Sequence, residues 1–426
     1  MYSNLYILPH QLFNNKYITS ISFSKIVIWE HPDFFTKYKF NKKKLVLHRA
    51  SMRKYYDDMK QKWNVEYIEY HKKHQVAVDS VMFDPINRMT EFANVVKLES
   101  PNFLLDSTFL EEMYQNKKAK ESIRFTTYFY PRAKSHIKIL EDVNSTDHLN
   151  RKKITTTPLI NLDPQSCNSK DSRYIAEAKT YIDTNFPNNY GSCENFNFPI
   201  SHKCASKWLN FFIKSKFDNF GEYQDAIVQD AYMLYHSGLS SSLNIGLIHP
   251  SDIIKQIQNY ETKVPMNSYE GFVRQLIWRE FQRYCYVYLH HSLLTKNKFS
   301  LKQTISSAWY DGNVGVYPVD ITIKKAFSSA YLHHIERLMI IGNFMLLNNI
   351  RKTDGFRWFM EFAIDSYEWV MYQNVYDMVF FSTGGSTTHK AYISSSNYIL
   401  KMSNFTKGPW MKVWDEKYRS FKNNQF

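Results

Sequence analysis

The stretch YLHHIERLMIIGNFMLLNN, Tyr331–Asn349, places two adjacent histidines, an arginine and a Gly-Asn pair inside an apolar helical pattern. At the helical period, His334 and Leu338 share one face, and His333 and Arg337 share the next. A histidine beside a ligand can donate a proton near neutral pH, whereas a lone buried histidine is more often simply hydrogen-bonded. Two histidines in sequence beside an arginine favour a functional site.

The segment that follows adds an acid and several aromatic rings. We expect Asp365 to lie in the next helix, where its carboxylate can form a charge-assisted pair with Arg337. Trp358, Tyr367 and Trp369 supply rings that are oxidisable or able to stack on a ligand. The alternative is that these rings belong to the core.

The larger part of the chain, residues 200–426, shows helical spacing with few strand signals, which predicts a mostly α-helical domain. Its helical segments are Lys203–Lys216, Tyr223–His236, Tyr269–Leu289, Ile321–Asn349 and Gly355–Met371.

Two segments of this domain are candidates for binding an anion or a planar ring. The first, HSGLSSSLN at His236–Asn244, brings hydroxyls and open amides to a helix start, which suits phosphate, although serines there are usually caps. The second, WREF at Trp278–Phe281, sets Arg279 and Glu280 among aromatic residues. These can hold a ring and its phosphates, or form an ion pair over a core stripe, which the spacing favours.

The N-terminal part, residues 1–135, is predicted to be an α/β domain. Apolar or alternating runs at Leu5–Leu8, Lys25–Trp29 and Val65–Tyr70 have strand length, with a basic helical stretch between the last two. Strand, helix and strand in this order indicate a parallel, Rossmann-like sheet. The basic cluster Lys42–Lys54 is interpreted as a solvated helix face, with contact to nucleic acid as the alternative. Residues 136–199 read as a connector with one helix near Tyr174–Thr184.

Charge and composition bear on the partner and the compartment. The 426 residues carry 54 Lys and Arg against 40 Asp and Glu, a formal charge of +14. This balance favours a polyanionic partner, nucleic acid ahead of membrane, although AT-rich coding also produces Asn/Lys/Tyr-rich chains. No apolar run is long enough to span a bilayer and no signal peptide pattern begins the chain, so we expect a soluble intracellular protein.

Several motifs occur in a fixed order along the chain: DHLNRK (Asp147–Lys152), FGEYQDA (Phe220–Ala226), HSGLSSSLNIGLI (His236–Ile248), WREF, HHIERLMIIGNF (His333–Phe344), DSYEWVMYQNVYDM (Asp365–Met378) and KAYISSSNYI (Lys390–Ile399). Taken together, these motifs resemble the photolyase/cryptochrome superfamily, and more narrowly its prokaryotic (6-4) photolyase-like branch, which usually carries an iron–sulfur cluster. The resemblance is ordered from about residue 200 and looser before it.

The resemblance implies a photolyase fold, with an α/β antenna domain and a larger all-α domain that binds FAD. Arg337 and Asp365 match the pair beside the isoalloxazine. The segment at Ser237–Asn244 becomes the loop at the flavin phosphates. The full set of implied flavin ligands is Ser237, Leu239, Ser240, Ser241, Asn244, Arg279, Arg337, Asn343 and Asp365.

The same resemblance implies the residues of the reaction. His334 takes the position that faces the lesion, where a histidine is thought to protonate a (6-4) photoproduct, and His333 accompanies it. Trp358 falls at the flavin-proximal electron donor, and Tyr367 belongs to the same catalytic set. Phe359 replaces the usual tyrosine and is not comparably oxidisable. Leu338 stands where the animal enzymes have a second histidine, a departure that the branch shares.

The cysteines depart from the branch. The chain has Cys167, Cys193, Cys204 and Cys285, no CxxC pair and no cysteine after Cys285. A 4Fe–4S cluster takes four thiolate ligands. We therefore predict no iron–sulfur cluster and no metal site. The branch suggests a ribityl-lumazine or similar antenna pigment, for which the sequence names no contacts.

These features predict a monomeric, FAD-dependent, light-driven photolyase acting on UV-damaged DNA, most readily on (6-4) pyrimidine–pyrimidone photoproducts rather than cyclobutane dimers. A cryptochrome-like blue-light photoreceptor without repair activity is the first alternative. A relative that has lost its flavin and serves as a DNA-binding module is the second.

Overall fold

The computed structural model describes residues 1–116, 123–155, 164 and 169–425. The chain divides into two compact units whose segments alternate along the sequence. Unit 1 comprises Met1–Asp106, Pro164–Phe211 and Ser237–Gln256, and unit 2 comprises Ser107–Asp163, Phe212–His236 and Ile257–Phe426. This division differs from the three consecutive segments predicted, because local composition does not reveal which distant segments pack together.

Unit 1 is built on a five-stranded sheet in which all neighbouring strands are parallel, in the order β3-β2-β1-β4-β5. Leu5 of the central strand pairs with Ile26 on one side and Val81 on the other. The predicted α/β class is confirmed. The strands are β1 Tyr2–Ile7, β2 Phe23–Trp29, β3 Val65–Ile68, β4 Val81–Phe83 and β5 Val96–Leu98.

The central strands are buried on both faces, as parallel sheets require. Consecutive residues Ile26, Val27 and Ile28 are all inaccessible to solvent. This explains why they form an uninterrupted β-branched run instead of an alternating pattern. The strands β4 and β5 escaped prediction because each has three residues, too few for a periodic signal.

The basic helix Lys42–Met59 corrects the interpretation of its charges as a solvated face. Arg49 is buried and donates to Glu30 at 2.8 Å, to Glu69 at 3.0 Å and to Glu177 at 2.6 Å. Three carboxylates surround one guanidinium, so this cation stabilises unit 1 internally. Its acidic partners are distant in sequence, which hides the network from a sequence reading.

Unit 2 is helical, and the long helix Met266–Thr295 is buried over most of its length. Among the described residues, the α-helices are Lys42–Met59, Ser107–Gln115, Tyr130–Ile137, Ser172–Asn185, His202–Ser215, Phe217–Phe220, Ser240–Asn244, Pro250–Ile257, Met266–Thr295, Ala308–Asp311, Tyr317–Ser329, Asn343–Leu347, Lys352–Phe362, Glu368–Met371, Ser396–Met402 and Trp410–Gln425. The same residues form π-helices at Phe125–Phe129, Glu336–Gly342 and Tyr372–Val379, and short 3-10 helices at Asn15–Tyr17, Pro32–Phe34, Thr90–Phe92, Asp147–Leu149, Ser169–Asp171 and Gln258–Tyr260.

Two of the π-helices meet at Gly342. A Cβ atom at this position would lie 2.9 Å from both γ-carbons of Val379 and 2.9 Å from the carbonyl oxygen of Arg337. Glycine is therefore required for this close approach, which accounts for the Gly-Asn pair inside an apolar helix. In the part of the chain that the structure describes, no helix is both long and apolar enough to cross a membrane.

Candidate active site

The double histidine lies at the start of a helix, and the prediction of helix throughout Ile321–Asn349 is wrong, because residues 330–333 are not helical. His333 precedes the first helical residue, His334. From Glu336 to Gly342 the helix widens into a π-helix, in which the N–H of Asn343 donates to the carbonyl of Leu338 five residues earlier. Such widened turns occur often at functional sites.

Arg337 and Asp365 form the ion pair that the sequence suggested. Two guanidinium nitrogens of Arg337 donate to the two carboxylate oxygens of Asp365 at 2.9 and 3.1 Å. The remaining Nε–H donates to the carbonyl of Leu332 at 2.7 Å, so hydrogen bonds from all three guanidinium nitrogens fix the orientation of the group. Asp365 lies in the turn between the helices Lys352–Phe362 and Glu368–Met371, and the prediction that it is helical is wrong.

A cavity of about 360 Å³, here called the histidine cavity, opens beside this segment in unit 2. His334 and Leu338 line one part of it, and Trp278, Asp225 and Tyr392 line others. A second cavity of about 610 Å³ also contacts Asp225, Leu338 and Tyr392. The structure therefore places His334 in the wall of a cavity, together with Leu338 one turn later.

His334 is exposed and lines the cavity. Desolvation lowers the pKa of His334 to about 4, and the neighbouring Arg337 cation lowers it further in the same direction. The free imidazole is therefore neutral at physiological pH and can offer an N–H group without carrying a charge.

Asp225, which also lines the cavity, has a raised pKa, whereas that of His334 is lowered. It was not among the predicted site residues. Burial raises the pKa of Asp225 to about 7, and the nearby carboxylate of Asp147 adds to the rise. Arg151 opposes it, with its Nε 3.8 Å from a carboxylate oxygen of Asp225. A carboxyl that keeps its proton near neutral pH is typical of functional sites. Its sequence context, the FGEYQDA motif, had signalled the family but not this role.

Trp278 has a stacked aromatic neighbour on the cavity wall. Its ring lies 3.7 Å from that of Phe125 between centroids, with the planes 13° apart. Trp278 is partly exposed, whereas Phe125, the first residue of a π-helix, is buried. The Trp278 ring reaches the cavity, whereas Phe281 of the same WREF motif is buried in the core. Phe125 packs against the Trp278 ring as its stacked neighbour.

Behind His333 lies a buried charged cluster that the sequence did not reveal. Lys325 donates to Glu336 at 2.6 Å, and both side chains are almost inaccessible to solvent. The Glu336 carboxylate also approaches the His333 Nε2 at 3.4 Å. Burial raises the pKa of Glu336 and lowers that of His333 well below its usual value. The partners lie on two helices and a loop, so no single motif contains them.

Arg279 lies buried on the long helix with its guanidinium carbon 5.2 Å from the centre of the Trp369 ring. Desolvation lowers the pKa of Arg279 to about 10, which leaves it cationic at neutral pH. Asn343 donates to the hydroxyl of Ser394 at 2.8 Å and to the carbonyl of Met339 at 3.3 Å. These contacts hold the 394 segment against the end of the π-helix.

The candidate electron donors are buried. Trp358 is inaccessible to solvent, and its indole N–H donates to the carbonyl of Trp309 at 2.7 Å. Tyr367 is also buried, and desolvation raises the pKa of its phenol well above the usual value. Phe359 packs against Trp358 with ring centroids 5.2 Å apart.

In unit 1, the predicted phosphate segment begins a short helix, Ser240–Asn244. The Ser237 hydroxyl accepts from the N–H of Leu239 at 3.4 Å. The hydroxyls of Ser241 and Ser242 are buried and have no hydrogen-bond partner among the described residues. Buried hydroxyls without partners are costly, and a ligand with acceptor oxygens would satisfy them. Within the described ranges, no group of three or more His, Cys, Asp or Glu side chains is arranged to hold a metal ion.

Parts of the chain are similar in sequence to known proteins. The family model of deoxyribodipyrimidine photo-lyase-related proteins matches residues 5–89. A (6-4) photolyase of Agrobacterium fabrum is 38% identical over 223 residues, which are 52% of this chain and 44% of that protein. The chain thus matches less than half the length of that relative.

Two solved structures share the fold over nearly the whole chain. A bacterial class III photolyase from Agrobacterium tumefaciens has a TM-score of 0.61 at 15% identity and covers 99% of this chain and 90% of its own. The Synechocystis cryptochrome has a TM-score of 0.60 at 13% identity and covers 100% and 87%. The predicted photolyase fold is confirmed. The chain is thus similar in parts of its sequence to photolyases and in its fold to a photolyase and a cryptochrome.

Proposed function

We propose that this protein is a light-driven DNA photolyase that binds FAD and reverses (6-4) pyrimidine–pyrimidone photoproducts in UV-damaged DNA. The observation that carries the proposal is the histidine cavity. His334 and Trp278 both line it, and the segment that carries His334 also carries Arg337, which pairs with Asp365. The 38% identity to a (6-4) photolyase supports the lesion class.

The flavin would be held in unit 2 by the fixed Arg337–Asp365 pair and by Arg279, with Asn343 ordering the adjoining segment. When bound and excited in its reduced form, FAD supplies one electron to the lesion. Considered by itself, unit 1 has the buried hydroxyls of Ser241 and Ser242 without a hydrogen-bond partner among the described residues, which suits an anionic ligand. The wider set of Ser237, Leu239, Ser240, Ser241 and Asn244 remains our prediction for the flavin phosphates.

The lesion would enter the cavity as a nucleotide flipped out of the duplex. Trp278, backed by Phe125, offers a ring face for stacking. His334 holds the proton that the photoproduct receives. Because its pKa is about 4 in the free protein, a DNA phosphate near the cavity mouth must raise that pKa for the imidazolium to form. His333 is neutral and buried, and it orients this segment instead of donating a proton.

The formal charge of +14 suits a nucleic-acid partner, and binding to damaged DNA should weaken as salt increases. A blue-light receptor function is the second candidate. It is favoured by the similar fold of a cryptochrome and by Phe359, which stands where the resemblance implies an oxidisable tyrosine. The monomeric state, the ribityl-lumazine antenna and the lack of a 4Fe–4S cluster stay predictions.

The proposal is tested with the purified protein, FAD and two oligonucleotides, one carrying a (6-4) photoproduct and the other a cyclobutane dimer. Blue light should restore the first oligonucleotide and leave the second unchanged. Bound FAD with both lesions unrepaired would instead support the receptor function, and a colourless protein that takes up no FAD would support a DNA-binding module. An iron assay on the same sample should find no iron, and about four irons per chain would refute the cluster prediction.

A further inference from the structure

The residue that follows Trp358 in the sequence, Phe359, cannot serve as its electron donor. Phe359 lies against Trp358, but a phenylalanine ring is too hard to oxidise to pass a charge onward as a radical. The structure places a different oxidisable residue within reach. Tyr310 follows Trp309, whose carbonyl accepts the indole N–H of Trp358.

Tyr310 is separated from Trp358 by one ring. The centroid of Phe327 lies 5.6 Å from that of Trp358 and 5.7 Å from that of Tyr310. Trp358 is completely buried, whereas Tyr310 is partly exposed. The series therefore leads outward from the core towards solvent within unit 2, with van der Waals contact between successive rings.

The phenol of Tyr310 is paired with a base. Its hydroxyl donates to the carboxylate of Glu361 at 2.7 Å. Glu361 lies on the Lys352–Phe362 helix that also carries Trp358, and it is buried. Arg357 on the same helix hydrogen-bonds to the phenol, and this contact raises the pKa of Arg357 although desolvation opposes the rise. A tyrosine with a carboxylate at hydrogen-bond distance can lose an electron and a proton together.

We propose that Tyr310 is the terminal electron donor to Trp358 and that Glu361 accepts its proton. This inference rests on the proposed function through the binding of FAD, and the oxidised flavin, when excited by light, would be the one-electron oxidant of Trp358. Trp358 loses one electron to that oxidant, and Tyr310 returns one electron to the Trp358 radical cation. The phenolic O–H bond breaks, the proton passes to a carboxylate oxygen of Glu361, and a neutral tyrosyl radical remains beside a neutral acid.

A competing series of rings lacks such a base. Trp309 neighbours Phe344 at 6.1 Å, Phe344 neighbours Trp414 at 4.9 Å, and Trp414 neighbours Trp410 at 6.3 Å between centroids. The indole N–H groups of Trp410 and Trp414 donate to the carbonyls of Thr406 and Ser394. A carbonyl does not take up a proton at neutral pH, so a hole on this series would remain a tryptophan radical.

The test uses the FAD-loaded, oxidised full-length protein without DNA, flashed with blue light and followed by transient absorption and electron paramagnetic resonance. The parent should yield a neutral tyrosyl radical, and its formation should slow in D2O because a proton moves with the electron. Tyr310→Phe should yield only a tryptophan radical and slow steady-state photoreduction at least tenfold. Glu361→Gln keeps an acceptor for the hydroxyl but removes the base, so it should slow tyrosyl formation and abolish the solvent isotope effect. Tyr317→Phe, at an exposed tyrosine of the same unit, is the matched control.

FAD content and melting temperature are measured for every variant, so that a folding defect is recognised. A flavin-loaded Tyr310→Phe protein with the same radical and photoreduction rate as the parent overturns this inference alone. A tyrosyl radical that persists in Tyr310→Phe does the same. A parent protein that takes up no FAD overturns the proposed function and this inference together.

Discussion

His333 stacks on His236 with ring centroids 4.8 Å apart and planes within 12° of parallel. His333 is buried in unit 2 and His236 is partly buried, and desolvation lowers the pKa of His236 to about 3. The pKa of His333 is also well below its usual value, first through burial and then through the neighbouring His236. Two uncharged imidazoles thus support the segment that carries His334, and a proton on either ring would disrupt the stack.

This stack should make unit 2 sensitive to acid. A histidine in the unfolded chain has a pKa near 6.5, whereas the stacked histidines have lower pKa values. Below pH 6.5 the unfolded chain therefore binds protons that the folded protein does not bind, and the free energy of unfolding decreases. For His236 alone the loss between pH 6.5 and pH 5 is about 2 kcal/mol. We expect His236→Phe to lose less stability than the parent over this range, measured by denaturant unfolding at several pH values. The exposed His291→Phe serves as the control. Parallel pH profiles for the parent and His236→Phe would contradict the assignment.

Asp225 should make the free energy of unfolding depend on pH in the opposite direction. Its folded pKa of about 7 lies above the unfolded value, so the folded protein holds a proton that the unfolded chain releases, and stability falls as pH rises from about 4 to 7. Asp225→Asn removes this titration. We expect the variant to become progressively more stable than the parent over that range, by about 1 kcal/mol per pH unit at most, and the difference to level off above pH 7. The exposed Asp230→Asn should show no such trend. A constant offset at all pH values would argue against a shifted Asp225.

The Arg337–Asp365 pair should be necessary for flavin binding. Asp365→Asn leaves a largely buried guanidinium without its counter-charge, which costs about 3 kcal/mol and lets the side chain move. We expect FAD retention after gel filtration to fall at least tenfold. Arg351→Lys changes a pair whose arginine is about half exposed, and it should leave FAD content unchanged. Equal FAD content in Asp365→Asn and the parent would remove this pair from the flavin site.

Trp278 and Phe125 should contribute to lesion binding as a stacked unit. Stacking of one base on an aromatic ring is worth about 1–3 kcal/mol, so Trp278→Ala should weaken binding of a (6-4) oligonucleotide in the dark at least fivefold. Phe125→Ala should have a smaller effect in the same direction, because Trp278 keeps its ring but loses its support. Fluorescence anisotropy measures both, with Trp63→Ala in unit 1 as the control. Unchanged affinity in Trp278→Ala would show that the base does not stack there.

Much of the architecture was predictable from local patterns. The β-branched run at Lys25–Trp29 predicted a strand of a parallel sheet, and Phe23–Trp29 forms one whose residues Ile26, Val27 and Ile28 are buried. Arg337 and Asp365 were paired because buried opposite charges in neighbouring segments require each other. Strands of three residues and charges whose partners are distant, such as those of Arg49, give no comparable local signal.

The details of the site were less predictable for physical reasons. The π-helix at Glu336–Gly342 depends on close packing against Val379, and a helical period cannot anticipate a register set by tertiary contact. Asp225 acquires its pKa from burial beside Asp147, and Trp278 reaches the cavity because Phe125 covers its other side. Each of these properties arises between segments that are far apart in the sequence.

The most direct test of the central claim is single-turnover repair of an oligonucleotide with one defined (6-4) photoproduct by the reduced, FAD-loaded protein in blue light. We predict restored pyrimidines with the parent, and a loss of repair of at least a hundredfold with His334→Ala while FAD content and dark binding of the lesion stay unchanged. Parent repair should also increase as pH falls from 8 to 6, because the pKa of His334 is depressed and more imidazolium then forms. An unrepaired lesion with the illuminated, flavin-loaded parent, or full repair by His334→Ala, would contradict the account.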